Sequence, residues 1–173
     1  NAIQSSSNPL ILVHGLNGEA GYWDFDNTPN KLNNYGYGVW EFYYPNNQKI
    51  DYSSSLLGDS IDYIKSQSGK NKVNIIAHSM GGLVTRGYVA GLGTDSNNKS
   101  IIYKEDIEKI ITLGSPFFGS YAANRIIFDQ WFDLTKEIVH FLGDLDATAR
   151  SYRDLSVGSE FSWNLFNAYL IPS

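Results

Sequence analysis

The stretch that decides the fold reads Val73-Asn74-Ile75-Ile76-Ala77-His78-Ser79-Met80-Gly81-Gly82-Leu83. Its first part, residues 73–77, is short, apolar and rich in β-branched side chains, which predicts a buried strand. The residues that follow Leu83 have apolar side chains at helical spacing, and this pattern predicts a helix that ends near Gly91. The stretch therefore predicts a strand that turns directly into a helix.

Ser79 lies at that predicted turn. Small residues at positions 77 and 81 relieve crowding where a chain turns sharply from strand to helix, and such a turn holds the serine side chain above the edge of the sheet. The N-terminus of the following helix also favours a developing negative charge. The pattern predicts that Ser79 is a nucleophile, although a serine that only caps an ordinary strand–turn–helix would have a similar sequence.

Strands and helices alternate along the rest of the chain. Further strands are predicted at Leu10–Val13, at residues 39–44 and at Ile107–Leu113, and a helix is predicted at residues 53–64 with Ser53 to Ser55 available as caps. Alternation of this kind predicts an α/β fold with a parallel sheet covered by helices on both faces. Residues 1–173 show neither an internal repeat nor a linker, so they are expected to form one domain.

The composition excludes several classes of protein. Hydrophobic residues make up 42% of the 173 residues and aromatic residues 14%, which predicts a packed core. A net charge of −5 and a pI of about 5.1 argue against nucleic acid as a partner. Cysteine is absent and the three histidines, at 14, 78 and 140, are scattered, so no histidine- or cysteine-ligated metal and no cofactor are expected, while calcium binding by loop carboxylates stays open. No apolar run is long enough for a transmembrane segment, and the Asn, Ser, Tyr and Gly content favours an extracellular protein.

Three segments, in this order and spacing, carry a resemblance to a known family: "LILVHGLNG" at 10–18, "IIAHSMGGLVTRGYV" at 75–89 and "ITLGSPFFGS" at 111–120. They resemble α/β-hydrolases of the lipase and esterase type, and most of all bacterial lipases with an Ala-x-Ser-x-Gly nucleophile elbow. "DLSVGSEF" at 154–161 resembles a later lipase segment more loosely. Ala77 stands where most of the family has glycine. The resemblance implies the three-layer α/β-hydrolase fold.

The resemblance also assigns roles to residues. It implies that Ser79 attacks an ester carbonyl and forms an acyl-enzyme. The backbone N–H groups of Leu16 and Met80 would form the oxyanion hole, in which each donor contributes about 3 kcal/mol to catalysis. Phe117 and Phe118 would lie beside the site and fit an acyl chain, although aromatic residues of the core would look the same in the sequence.

A strongly amphipathic helix is predicted at residues 127–142. Its apolar residues recur at helical spacing: Ile127, Trp131, Leu134, Ile138 and Phe141. In a lipase this helix would belong to a lid at about residues 119–150, with Trp131 contributing to the substrate site and with transient contact to a lipid surface. A helix that simply packs on the sheet fits the pattern equally well.

The triad acid and base are not evident in the sequence. In this fold they follow the serine along the chain, each after a later strand. The histidine after Ser79 is His140, which lies on the amphipathic helix, while His78 is expected to point away from the serine and His14 to be structural. The acids Asp129, Asp133, Asp144, Asp146 and Asp154 follow no predicted strand. The sequence therefore resembles the N-terminal portion of a lipase whose C-terminal strands are missing.

Two consequences follow for function. The first hypothesis is a serine carboxylic-ester hydrolase, most specifically a triacylglycerol lipase, completed by a C-terminal polypeptide that carries the triad Asp and His. Acyl transfer to another acceptor would use the same groups. The second hypothesis is a non-catalytic binding module that keeps the fold without the triad, and a structural role is a more distant third.

Overall fold

A parallel sheet forms the centre of the molecule. The computed structural model describes residues 8–97, 99–121, 123–124 and 150–168. Its four strands are β1 (Leu10–Val13), β2 (Val39–Phe42), β3 (Val73–His78) and β4 (Ile107–Leu113), and they lie in the order β2-β1-β3-β4 with every pair parallel. The predicted α/β architecture is confirmed.

Helices connect the strands. A 3-10 turn (Phe25–Asn27) and α1 (Thr28–Asn34) follow β1, α2 (Ile50–Ser68) joins β2 to β3, and α3 (Met80–Val89) follows β3. Two more helices, α4 (Arg150–Leu155) and α5 (Glu160–Asn167), lie further along the chain. Parallel strands need such crossovers, because a tight turn cannot bring the chain back to the starting edge of the sheet.

Both faces of the sheet are covered around β1. On one face the odd-numbered β1 residues Ile11 and Val13 belong to the main core, where β3 packs against α2 and α3. On the other face Leu10 and Leu12 pack with Trp23 in a smaller cluster, next to Leu32 of α1. All four residues of β1 are therefore buried, which explains why this strand is a continuous apolar run.

Strand β4 is more open to solvent. It lies at one end of the strand order, and within the described residues no other strand pairs with its outer edge. Ile111 is 55% exposed and Leu113 is 45% exposed. An exposed apolar edge strand offers unpaired backbone groups to another polypeptide segment. The described part of the fold thus has an apolar edge that the sheet itself does not cover.

The predicted caps of α2 were wrong. The helix begins at Ile50, and Ser53 to Ser55 are buried inside it rather than before it. The backbone N–H of Ile50 instead donates to the Asp154 carboxylate at 2.8 Å. The pKa of Asp154 is raised to about 6, because the effect of burial is larger than the opposite effect of the hydrogen bond from Ile50. This cap could not be expected from nearby sequence, because Asp154 is supplied by α4.

Asp154 makes stability depend on pH in a definite direction. Its pKa is about 6 in the folded chain and about 3.9 when unfolded, so the stability it contributes is full below pH 4 and is lost as the pH rises through 6. Asn keeps an acceptor for Ile50 and does not titrate. We expect Asp154→Asn to gain about 1–2 kcal/mol relative to the parent between pH 4 and pH 7.5. Urea denaturation of both proteins at each pH measures this, and a difference independent of pH would contradict it.

Candidate active site

Ser79 occupies a strained turn between β3 and α3. Its φ is 50° and its ψ is −122°, a conformation that non-glycine residues avoid at a cost of about 1–3 kcal/mol. The backbone N–H of Ser79 donates to the carbonyl of Leu113 at 2.8 Å, which fixes the turn to the end of β4. No residue in the described ranges hydrogen-bonds to the Ser79 hydroxyl. Strain at a strand-to-helix serine is the geometry of a nucleophile elbow.

The glycines after Ser79 allow this turn to pack tightly. A Cβ atom at Gly81 would lie 2.4 Å from the carbonyl oxygen of His14, and one at Gly82 would lie 2.0 Å from the Oγ of Ser115. The first turn of α3 therefore lies directly against the end of β1 and the loop after β4. Ala77, which precedes the elbow, is fully buried. These contacts give a physical reason for the small side chains in the motif.

The loop after β1 forms a tight turn beside the elbow. The N–H of Gly18 donates to the carbonyl of Gly15 at 3.2 Å, and Asn17 has a φ of 58° within that turn. A Cβ at Gly15 would lie 2.9 Å from the Cβ of Ser79, so the turn lies directly against Ser79. In the described ranges no group accepts a hydrogen bond from the N–H of Leu16. A backbone N–H without an acceptor is what an oxyanion donor requires, and the role of Leu16 stays a prediction.

Met80 is the first residue of α3. The N–H groups in the first turn of a helix have no acceptor within the helix, and they carry the positive end of the helix dipole. Leu16 and Met80 both follow the carboxyl end of a parallel strand, where ligands of open α/β sheets bind. This placement agrees with the two oxyanion donors expected from the sequence, which stay a prediction.

His14 has a structural role. We assign its proton to Nδ1, because Nε2 accepts a hydrogen bond from the N–H of Tyr44 at 3.3 Å while Nδ1 lies 2.8 Å from the carbonyl of Gly15. The ring stacks on Tyr44 at a centroid distance of 4.2 Å, and burial lowers the His14 pKa. A Cβ at Gly18 would lie 2.3 Å from Nδ1. Both ring nitrogens are engaged, so His14 cannot act as the base.

His78 is also engaged. Successive side chains of a strand alternate, so His78 lies on the face opposite Ala77. Its Nδ1 lies 2.5 Å from the hydroxyl of Tyr22, a residue that sequence analysis did not single out. Within the described ranges the histidines are His14 and His78, and each already takes part in another hydrogen bond. His140 lies outside those ranges.

The structure describes part of the predicted substrate site. Phe117 is half-buried and packs on the main core, whereas Phe118 is 76% exposed with its ring 6.4 Å from that of Phe166. Both follow β4 and therefore lie at the same edge of the sheet as Ser79. Trp131 and nearly all of the predicted lid lie outside the described residues, as do Asp129, Asp133, Asp144 and Asp146. Asp154, which is described, caps α2.

The described residues hold neither a metal cluster nor a membrane-spanning helix. No group of three or more His, Asp or Glu side chains there is arranged to hold a metal ion. None of the described helices has the length and apolar character needed to cross a membrane.

The sheet order, the strained serine and the glycine turn together define an α/β-hydrolase fold with a nucleophile elbow. Residues 5–160 match the model of a family described as "Putative serine esterase (DUF676)". This match covers most of the chain, and the protein belongs to that family.

Solved structures show the same fold. The mature Bacillus licheniformis lipase BlEst2 superposes with a TM-score of 0.69 at 20% identity, covering 94% of this chain and 59% of the lipase. The phospholipase PlaB of Legionella pneumophila, in complex with thio-NAD, gives a TM-score of 0.67 at 18% identity, covering 96% of this chain and 35% of PlaB. A Paleococcus ferrophilus monoacylglycerol lipase gives a TM-score of 0.55 at 15% identity, covering 95% of this chain and 69% of that lipase. The chain thus spans less than two thirds of the first two proteins.

Proposed function

We propose that the chain is the nucleophile-bearing part of a serine carboxylic-ester hydrolase of the lipase and esterase kind. Ser79 is the nucleophile, and the backbone N–H groups of Leu16 and Met80 bind the oxyanion. The observation that carries the proposal is the backbone of Ser79, with φ 50° and ψ −122° at the carboxyl end of a central parallel strand. A fold keeps such strain only where it is tightly constrained, and strain of this kind clusters at functional sites.

The reaction follows from these groups. The Oγ of Ser79 bonds to the ester carbonyl carbon while its proton passes to a base, and the carbonyl oxygen becomes an anion. The N–H groups of Leu16 and Met80 bind that anion, and losing one such donor costs about 3 kcal/mol of barrier. The C–O bond to the alcohol then breaks, and the base returns the proton to the leaving oxygen. Water cleaves the acyl-enzyme by the same steps and releases the acid.

The acid and base of the triad are assigned to a further C-terminal polypeptide segment that completes the domain. Three observations support this assignment. The described histidines, His14 and His78, are both held in other hydrogen bonds. The apolar edge of β4, with Ile111 and Leu113 exposed, offers a place for an additional strand or a covering helix. The chain also spans only 59% of the mature Bacillus lipase with the same fold.

The substrate is proposed to be a lipid ester, with triacylglycerol as the specific candidate. The structures that share the fold are named as a lipase, a phospholipase and a monoacylglycerol lipase, which supports an acyl lipid in general. The exposed Phe118 on the loop after β4, at the same edge as Ser79, gives a further apolar surface for an acyl chain.

A non-catalytic binding module is the second candidate, because no group in the described residues hydrogen-bonds to the Ser79 hydroxyl. Acyl transfer is a variant of the first candidate, in which an alcohol other than water cleaves the acyl-enzyme.

The test combines intact mass and ester hydrolysis on one purified sample of the full gene product. p-Nitrophenyl esters of rising acyl length and emulsified triacylglycerol are the substrates. We expect hydrolysis, with a preference for long acyl chains if the protein is a lipase. The mass spectrum shows whether the active species is one polypeptide or two. Absence of hydrolysis from every ester would favour the binding module, and activity from a 173-residue species alone would contradict the assignment of the acid and base.

A further inference from the structure

The Tyr22 hydroxyl lies at the junction of the loop after β1 and the nucleophile elbow. It is 2.5 Å from the Nδ1 of His78, the residue just before Ser79. It also lies against the backbone of Gly15. A Cβ at Gly15 would lie 3.2 Å from the Tyr22 oxygen and 2.9 Å from both His78 Nδ1 and Ser79 Cβ. One phenol therefore touches both backbone segments that carry the proposed oxyanion donors.

We propose that Tyr22 is a positioning residue that sets the distance between the two oxyanion donors. Its hydroxyl lies against Gly15, which precedes Leu16, and hydrogen-bonds His78, which directly precedes Ser79 and Met80. This inference rests on the proposed ester hydrolysis and adds a residue to it. Tyr22 does not touch the substrate in this account, and it acts only through the spacing of the N–H groups.

Other hydrogen bonds hold the loop after β1 to a different part of the fold. The Tyr43 hydroxyl accepts a bond from the N–H of Gly21 at 3.2 Å, and the Asn46 side chain donates to the carbonyl of Gly18 at 2.8 Å. Tyr43 and Asn46 both belong to the segment just after β2. Among the side chains that the structure describes, Tyr22 is the one in this loop whose hydrogen bond reaches the β3–α3 turn.

Tyr22 is itself held firmly. Its ring packs edge-on against buried Trp23 at a centroid distance of 5.6 Å and lies 5.9 Å from the ring of His14. Burial raises the pKa of Tyr22, so the hydroxyl keeps its proton at neutral pH and remains a hydrogen-bond donor. A rigid support of this kind is what a preorganised oxyanion site needs, because a misplacement of about 1 Å can cost about 100-fold in rate.

The test compares Tyr22→Phe with Tyr43→Phe in the full gene product. Each variant removes one hydroxyl whose hydrogen bond holds the loop after β1 in place. Only Tyr22→Phe removes a hydrogen bond to the elbow. We expect Tyr22→Phe to lower kcat and kcat/KM together by about 10- to 100-fold with KM nearly unchanged, because the lost stabilisation belongs to the transition state. Tyr43→Phe is expected to keep kcat within about 2-fold, and its thermal midpoint gives the cost of losing one hydroxyl from the loop.

A second pair of variants acts from the other side of the bond. His78→Asn keeps a side-chain amide near the position of Nδ1, whereas His78→Leu cannot hydrogen-bond to Tyr22. We expect the Asn variant to retain at least several-fold more kcat than the Leu variant. Equal kcat in the two, or equal losses in Tyr22→Phe and Tyr43→Phe, would overturn the inference while leaving the hydrolase proposal intact. A parent protein that hydrolyses no ester would instead remove the proposed function, and the inference with it.

Discussion

Replacing Ser79 by Ala is expected to lower kcat/KM for ester hydrolysis by about 10⁴- to 10⁶-fold, because the reaction loses the atom that forms the acyl-enzyme. Ser79→Gly should lose as much activity for the same reason. Steady-state hydrolysis of a p-nitrophenyl ester by the full gene product measures both losses. A variant that retained more than a few per cent of the parent rate would contradict the role of Ser79.

The same two variants also test the strain at the elbow. Glycine adopts positive φ without a steric penalty, whereas alanine does not. With φ 50° and ψ −122° at this position, we expect Ser79→Gly to be about 1–2 kcal/mol more stable than Ser79→Ala. Ser60, within α2, serves as the control. There glycine should be about 1 kcal/mol less stable than alanine, the opposite order. The same order at both positions in urea denaturation would mean that Ser79 stores no strain.

Gly81→Ala is expected to have the second large effect. The added methyl would lie 2.4 Å from the carbonyl oxygen of His14 and 2.7 Å from that of Val13, and neither backbone atom can rotate away. The start of α3 would have to move from the end of β1. We expect a loss of about 3 kcal/mol or more in the free energy of unfolding. We also expect a large fall in kcat, because Leu16 and Met80 lie on the two segments that separate.

Gly38→Ala is the matched control for Gly81→Ala. A Cβ at Gly38 meets no atom within 4 Å, and its backbone is not in the positive-φ region. The same chemical change should therefore leave stability within about 0.5 kcal/mol and activity unchanged. Thermal denaturation and ester hydrolysis on the two variants side by side make the comparison. Similar stability in Gly81→Ala and Gly38→Ala would contradict the close packing of the elbow against β1.

The sequence was most informative where the structure is local. β1 and β4 have the bounds expected from their apolar runs, and β3 extends one residue further, to His78. α2 is longer than expected at both ends, and its earlier start is explained by the cap that Asp154 provides in place of a neighbouring serine. A cap supplied by a distant helix leaves no signal next to the helix that it completes.

In the candidate site, too, the sequence indicates features built from adjacent residues but not contacts between distant ones. Ser79 could be singled out from the sequence as the candidate nucleophile because an elbow is built from adjacent residues. The bond between Tyr22 and His78 could not, because it joins side chains that only the folded sheet brings together. The stacking of His14 on Tyr44 is hidden for the same reason, since β1 and β2 are neighbours in the sheet but not in the chain.

Labelling with a serine-directed fluorophosphonate tests the central claim most directly. Trypsin cleaves after Lys72 and after Arg86, and the peptide of residues 73–86 contains Ser79 as its only serine. In the full gene product we expect one equivalent of probe on that peptide, located on Ser79 by fragmentation, and none in Ser79→Ala. A probe bound to a different serine, or equal labelling of the parent and Ser79→Ala, would show that Ser79 is not the nucleophile.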